Sequence, residues 1–332
     1  MSAAAAARRS YPQKENFVKI IEVSARDGLQ NEKGVISPAT KVELIKRIVE
    51  TGIRVLEAGA FVSPKWVPQM ATTPEVVTKM KVDPNVAYSV LVPNMRGLES
   101  LEKLLQSVPA SSPPPTDEIA LFAAATESFN RANTNCSTEE ALDRVLEICE
   151  RAKPMGLLLR GYISCAGGCP YEGAVDPKKV GDIAKKLIEA GCYEVSIADT
   201  IGAATPQVME AVLNECTRHA DANFYAAHCH DTFGTGLTNV LQMVKMGVRS
   251  VDSSLGGLGG CPYSPGATGN IDTESVVYAL HREGYETGID LDKAALVGDW
   301  ISAEIGKPNG SSAGRAIVAK LKMKERKQEA KL

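Results

Sequence analysis

The chain has little of what marks the unusual protein classes. Aromatic residues make up only 5% of its 332 positions, tryptophan occurs twice and histidine four times. No apolar run approaches the roughly 18 to 20 residues that a membrane helix needs, so no membrane association is expected. There is no surplus of positive charge: 37 Lys and Arg stand against 40 Asp and Glu, for a net charge of -3. That excludes the clustered base of a nucleic-acid binder. Eight cysteines in so long a chain, without a secretory signal, do not read as a disulfide framework. Cys165 and Cys169 lack a matching second pair and read as free thiols. What remains is ordinary: 44% apolar and 23% charged residues, enough to bury a large core. An intracellular globular enzyme is the expectation.

Short β-branched runs alternate with longer helical patterns. Strands are predicted over Phe17–Val23, Ile53–Glu57, Val86–Val92, Glu118–Ala123, Leu157–Ile163, Tyr193–Ala198, Phe224–Cys229 and Val248–Ser253. Helices are predicted over Pro38–Glu50, Met95–Gln106, Thr138–Ala152, Pro177–Ala190, Pro206–His219, Leu237–Met246 and Asp272–Arg282. Such alternation implies parallel strands joined by crossover helices, either as an open doubly wound sheet or as a closed barrel. Eight strands in a span near the usual ~250 residues favour the (β/α)8 TIM barrel. Residues 17–290 are assigned to that catalytic barrel, 1–16 to a flexible N-terminal segment and 291–332 to appended C-terminal helices and a charged tail. The Pro113-Pro114-Pro115 run reads as a stiff surface connection.

Chemistry-bearing residues gather at the predicted C-terminal strand ends, where the loops of such a barrel converge. Arg26 and Asp27 follow strand one, Glu57 closes strand two, Tyr162 closes strand five and Asp199 follows strand six. His228 and His230 close strand seven, and a glycine-rich loop from Gly256 to Gly269 leads to Asn270. In an extended strand, residues two apart share a face, so both imidazoles can reach one ion while Cys229 turns away. Asp27 would add a carboxylate oxygen and Asn270 an amide oxygen. Two imidazoles with oxygen donors suit Mg2+ or Mn2+ better than a closed thiolate site. Arg26 reads two ways, as a partner of Asp27 or as a fixed cation aimed at charge developing on a substrate oxygen.

Several motifs together resemble the 3-hydroxy-3-methylglutaryl-CoA lyases, over about Val18 to Gly288. They are Arg26-Asp27-Gly28-Leu29-Gln30-Asn31-Glu32-Lys33, the run Phe61 to Met70, Gly168-Cys169-Pro170-Tyr171-Glu172-Gly173 and Asp199-Thr200-Ile201-Gly202. The others are His228-Cys229-His230-Asp231-Thr232 and Asp252-Ser253-Ser254 leading to Gly259-Gly260-Cys261-Pro262-Tyr263. The resemblance implies that Asp27, His228, His230 and Asn270 hold a divalent cation. It makes Arg26 the substrate-polarising arginine, Glu57 and Asp199 active-site acids, Tyr162 a substrate contact and Cys261 the active-site loop cysteine. Ser24-Ala25 stands where the family typically has Gly-Pro, and Ala58-Gly59-Ala60 where Thr or Ser follows the glutamate.

The reaction implied is a retro-aldol cleavage of a 3-hydroxyacyl-CoA thioester to acetyl-CoA and acetoacetate, with His228 or Asp199 as base. An acyl-CoA substrate and a homodimer are therefore expected. The rivals are an acyl-CoA condensing synthase of the isopropylmalate or homocitrate type, normally longer at the C-terminus, and a non-catalytic acyl-CoA-binding paralogue. The terminal Ala330-Lys331-Leu332 differs by one small residue from the Ser-Lys-Leu peroxisomal address. A peroxisomal location is expected, ahead of the mitochondrial matrix and then the cytosol.

Overall fold

The computed structural model describes residues 14–109, 111–260 and 269–329. Cys261, the Ala330–Leu332 tail and residues 1–13 of the expected N-terminal segment lie outside the described residues. Eight parallel strands close into a barrel in sequence order. They are β1 (Lys19–Glu22), β2 (Val55–Ala60), β3 (Ala87–Leu91), β4 (Glu118–Ala124), β5 (Leu158–Ser164), β6 (Glu194–Asp199), β7 (Tyr225–Cys229) and β8 (Ser250–Ser253). Closure is made by β8 against β1, in register from Lys19 opposite Ser250 to Glu22 opposite Ser253. Every residue of β2, β3, β6, β7 and β8 is buried, as strands covered on both faces must be.

The helices are α1 (Pro38–Glu50), α2 (Thr73–Lys79), α3 (Met95–Ser107), α4 (Glu127–Thr134), α5 (Thr138–Ala152), α6 (Pro177–Glu189), α7 (Pro206–Cys216), α8 (Gly236–Lys245) and α9 (Thr273–Arg282). Two more, α10 (Leu291–Glu304) and α11 (Ser312–Glu329), are appended to the barrel. Local chemistry sets their starts. Ser37 Oγ accepts the Thr40 amide at 3.1 Å with Pro38 in the first turn of α1. Ser137 and Glu140 form a reciprocal capping box on α5. Two helices escape the sequence pattern, α2 and α4. Both are short, and α4 is built from poor helix formers (Asn130, Asn133 and Thr134), so packing rather than propensity holds it. Strand one is shorter than predicted, because residues 24–28 coil into a π-helical turn immediately after it.

The large core lies between strands and helices, whereas the barrel interior is divided. Ile21, Val23, Val55 and Ala87 form a small apolar cluster of their own. A largely buried polar chain runs from Lys19 through Glu194 and Arg160 to Asp252. Among the described residues no helix is long and apolar enough to cross a membrane.

The appended helices fasten the start of the loop after β8. Gly256 N–H donates to both Glu274 carboxyl oxygens at 3.0 and 3.1 Å, and Gly310 N–H donates to the Gly256 carbonyl at 2.9 Å. A Cβ on Gly298 of α10 would lie 2.0 Å from Glu274 Oε1, so only glycine lets the helix approach. Glu22 accepts the Ser24 and Leu255 amides, both at 3.0 Å, and thereby ties the turn after β1 to the same loop. Burial raises the pKa of Glu274 well above the usual carboxyl range, and neighbouring Asp272 and Glu22 push the same way. Burial raises Glu22 as well. Glu274 thus keeps its proton in the folded chain at pH values where the unfolded chain has lost it. Its contribution is full at low pH, and stability falls as pH rises from about 4.3 through the raised value. Glu274→Gln is uncharged at every pH, so its melting temperature is expected to drop less than that of the wild type between about pH 5 and pH 8. Identical pH dependence of the two proteins in scanning calorimetry would show that Glu274 does not carry it.

Candidate active site

The π-helical turn Ser24–Gly28 presents Arg26 and Asp27 at the barrel mouth. Arg26 is 6% exposed and lies between two acids. Its Nε and Nη2 donate to Glu57 Oε2 at 2.7 and 2.6 Å, and its Nη1 meets Asp27 Oδ1 at 2.5 Å. The pairing with Asp27 is thus present, and Glu57 holds the guanidinium from the other side. Burial works against its charge, but Glu57 and Asp27 outweigh that and raise its pKa. Glu57 sits where the β2–β3 register shifts, between Glu57 and Gly59, a bulge that re-aims the strand end. Burial raises its carboxyl even though Arg26 works to lower it, and its Oε1 has no partner among the described residues.

Closure of the barrel brings Asp27 to His228 near the end of β7 and to His230 just beyond it. One donor atom from each of Asp27, His228 and His230 lies within 4.8 Å of the others. The two imidazole centroids are 5.4 Å apart, and His230 Nε2 is 3.9 Å from Asp27 Oδ2. Burial raises the Asp27 carboxyl, but Arg26 and the two histidines outweigh it and hold the pKa down at about 2. Burial, helped by His228, lowers His230 to about 4, which leaves a neutral ring with a free lone pair at neutral pH. A carboxylate and two imidazoles, without a thiolate, are a donor set for a divalent cation of the Mg2+ to Zn2+ range. Asn270 reaches this cluster through a backbone bridge to His230. Its amide nitrogen, not the expected oxygen, faces the cluster and donates to Asp27 Oδ2 at 2.9 Å. Oxygen and nitrogen exchange on a half-turn of that amide, so a cation beside Asp27 would draw the oxygen inward.

Tyr162 stands over this site. Its ring meets the His228 ring edge-on at 5.7 Å between centroids, with the Arg160 and Arg26 guanidinium carbons 4.7 and 5.7 Å from its centre. Its hydroxyl is buried without a partner among the described residues. Asp199 is fully buried, but its oxygens are engaged: Oδ1 accepts the Ala203 amide at 3.2 Å and Oδ2 the Ala204 amide at 3.0 Å. Burial raises its pKa, against those amide bonds.

Sequence reasoning missed the residues beneath the mouth. Asp252 lies opposite His228 in the β7–β8 register, and its Oδ2 is 3.2 Å from His228 Nδ1. Arg160 grips Asp252 from below. A signal existed, since Arg160 and Asp252 are charged residues inside strands and Glu194 opens one, and burial on both faces obliges such charges to pair.

The HMGL-like family model matches residues 17–301. The chain belongs to the HMGL-like family. It is 46% identical over 303 residues to the hydroxymethylglutaryl-CoA lyase of Pseudomonas mevalonii, covering 91% of this chain and 97% of that one. Two Mus musculus relatives in this family are similar at comparable levels. One, named mitochondrial, is 45% identical over 90% of this chain and 89% of its own length. The other, named cytoplasmic, is 44% identical over 92% and 86%. Among solved structures, the hydroxymethylglutaryl-CoA lyase from Pseudomonas aeruginosa superposes with a TM-score of 0.86 at 41% identity, over 92% of this chain and 98% of that one. An HMG-CoA lyase from Acinetobacter baumannii in complex with coenzyme A and 3-methylmalate gives 0.84 at 31% identity, over 92% and 97%.

Proposed function

We propose that the barrel mouth is the active site of a divalent-cation-dependent carbon–carbon lyase that cleaves 3-hydroxy-3-methylglutaryl-CoA to acetyl-CoA and acetoacetate. The observation that carries this reading is the convergence of Asp27, His228 and His230 beside the Arg26–Glu57 pair, in a chain 46% identical to a lyase of that name. Asp27, His228 and His230 would hold Mg2+ or Mn2+, with Asn270 turned to offer its oxygen. A bound cation of this kind supplies Lewis acidity, lowering the pKa of a substrate hydroxyl and orienting the bond to be broken.

The remaining steps belong to side chains. Arg26, held rigid by Glu57, places a fixed positive charge where the thioester oxygen gains negative charge as the C2–C3 bond breaks. The Tyr162 hydroxyl and Glu57 Oε1, buried without a partner among the described residues, are the polar atoms proposed to meet substrate oxygens. Of the two candidate bases, Asp199 is favoured. Burial moves its carboxyl up toward the working pH, whereas His228 is engaged by Asp252 on one nitrogen and reserved as a ligand on the other. Cys261 is the proposed aid to proton delivery at C2.

The purified enzyme, assayed on a panel of 3-hydroxyacyl-CoA thioesters, is expected to release acetyl-CoA from the 3-hydroxy-3-methylglutaryl ester, to stop after chelation with EDTA and to resume on adding Mg2+ or Mn2+. His230→Ala should lower cation affinity and turnover together. Undiminished turnover in cation-free buffer would overturn the dependence on metal. Arg26→Lys, which keeps the charge but loses the planar fork, is expected to lower kcat by on the order of 10²- to 10³-fold with a smaller change in KM. A loss confined to KM would reassign Arg26 to substrate binding.

We also propose a peroxisomal destination for the chain, with the mitochondrial matrix and then the cytosol as alternatives. The support is the small-basic-leucine ending, carried beyond an exposed stretch of α11 from Lys322 to Glu329. A fluorescent fusion with a free C-terminus should give puncta that become diffuse when Leu332 is deleted. Tubular mitochondrial fluorescence that survives the deletion would reverse the assignment.

A further inference from the structure

The residues under the mouth do more than fill the barrel. Asp252 is 1% exposed and takes contacts from three directions. Arg160 donates from Nη2 to Oδ1 at 2.7 Å and from Nη1 to Oδ2 at 3.3 Å. Ser196 Oγ donates to Oδ2 at 2.7 Å, and His228 Nδ1 lies 3.2 Å from the same oxygen. The fork of a buried guanidinium keeps a carboxylate ionised, and an ionised carboxylate only accepts hydrogen bonds. The hydrogen between Asp252 and His228 must then sit on Nδ1. The neutral form of an imidazole, the form that binds a cation, has one N–H, so in that form the lone pair of His228 lies on Nε2.

We propose that Asp252 is a positioning residue, held by Arg160 and Ser196, that fixes the Nδ1–H tautomer of His228 and so reserves Nε2 for the cation. This rests on the reading of Asp27, His228 and His230 as cation ligands. The geometry has the form of a carboxylate–histidine–metal relay, in which the outer carboxylate sets ring orientation and ligand basicity. Further restraint comes from below. Arg160 Nε donates to Glu194 Oε1 at 2.8 Å, while Lys19 Nζ and Ser250 Oγ both donate to Glu194 Oε2 at 2.6 Å. Asp252 therefore cannot swing away without stranding Arg160. The Tyr162 ring, edge-on to His228, blocks the imidazole from turning on the other side.

The decisive variant is Asp252→Asn. With the amide oxygen kept in the Arg160 fork, the amide N–H would point at His228 Nδ1 and demand a lone pair there. The ring hydrogen then moves to Nε2 and the ligand is lost. Two measurements follow, neither of them turnover. The first is Mn2+ affinity of the substrate-free enzyme, read as free Mn2+ by electron paramagnetic resonance; the variant is expected to bind roughly 10- to 100-fold more weakly. The second is the imidazole nitrogen spectrum of 15N-histidine-labelled, metal-free protein near pH 8, where only four histidines contribute. The wild type is expected to show His228 with its hydrogen on Nδ1, and Asp252→Asn to show it on Nε2. Unchanged Mn2+ affinity in a folded variant, or a wild-type hydrogen on Nε2, would overturn the assignment. If Asp252→Asn fails to fold, the wild-type spectrum still decides. Failure of the wild type to bind Mn2+ would instead sink the cation site itself, whereas the tautomer is read without metal.

Discussion

The Arg160 guanidinium is the contact on which the mouth of this barrel depends. It is 1% exposed and would be untenable there without Glu194 on one side and Asp252 on the other. Most barrels of this class fill their interior with layers of branched apolar side chains. Here Ile21, Val23, Val55 and Ala87 form one such apolar cluster, and the buried charges of Arg160, Glu194 and Asp252 lie among the strands as well. The chain of ion pairs begins at Lys19, at the start of β1, and ends at Asp252, whose carboxylate meets the His228 ring. Removing any inner member would leave a buried charge without its partner. The orientation of a mouth histidine is thereby coupled to residues that no substrate can touch.

The alternation of strand and helix was legible because it is local. Periodicity and the position of polar residues at strand ends located the barrel and most of its mouth. Two kinds of feature were not. Helices α2 and α4 are stabilised by what they pack against, and their own sequences, Thr-Pro-Glu-Val-Val-Thr-Lys and Glu-Ser-Phe-Asn-Arg-Ala-Asn-Thr, argue weakly for a helix. The buried ion chain is non-local, with Arg160 and Asp252 separated by 92 positions. A mid-strand charge announces that it needs a partner without saying which.

Residue type was also more legible than direction. Asp199 was recognised as a mouth acid, yet its two oxygens hold the Ala203 and Ala204 amides, so it shapes the loop after β6 as well as offering a carboxyl. Asn270 lies where a ligand should, but its amide nitrogen is turned to Asp27. Beside an ionised carboxylate and the Leu258 carbonyl, that orientation is the favourable one, because nitrogen donates and oxygen would repel. A cation reverses the preference. The orientation of Asn270 is thus a consequence of local charge, which no reading of side-chain identity supplies.

Closure turns these separate strand ends into one site. Asp27 follows the first strand, His228 and His230 end the seventh, and Asn270 follows the eighth. In an open sheet in which β1 and β8 were both edges, these groups would be divided between opposite sides. The β8–β1 ladder, from Lys19 to Glu22, removes that separation, and Glu22 reinforces it by accepting both the Ser24 and Leu255 amides. The same carboxylate therefore anchors the turn that carries Arg26 and Asp27 and the loop that leads to Asn270. Glu22 thereby helps to set the spacing between Asp27 and Asn270, groups from opposite ends of the chain.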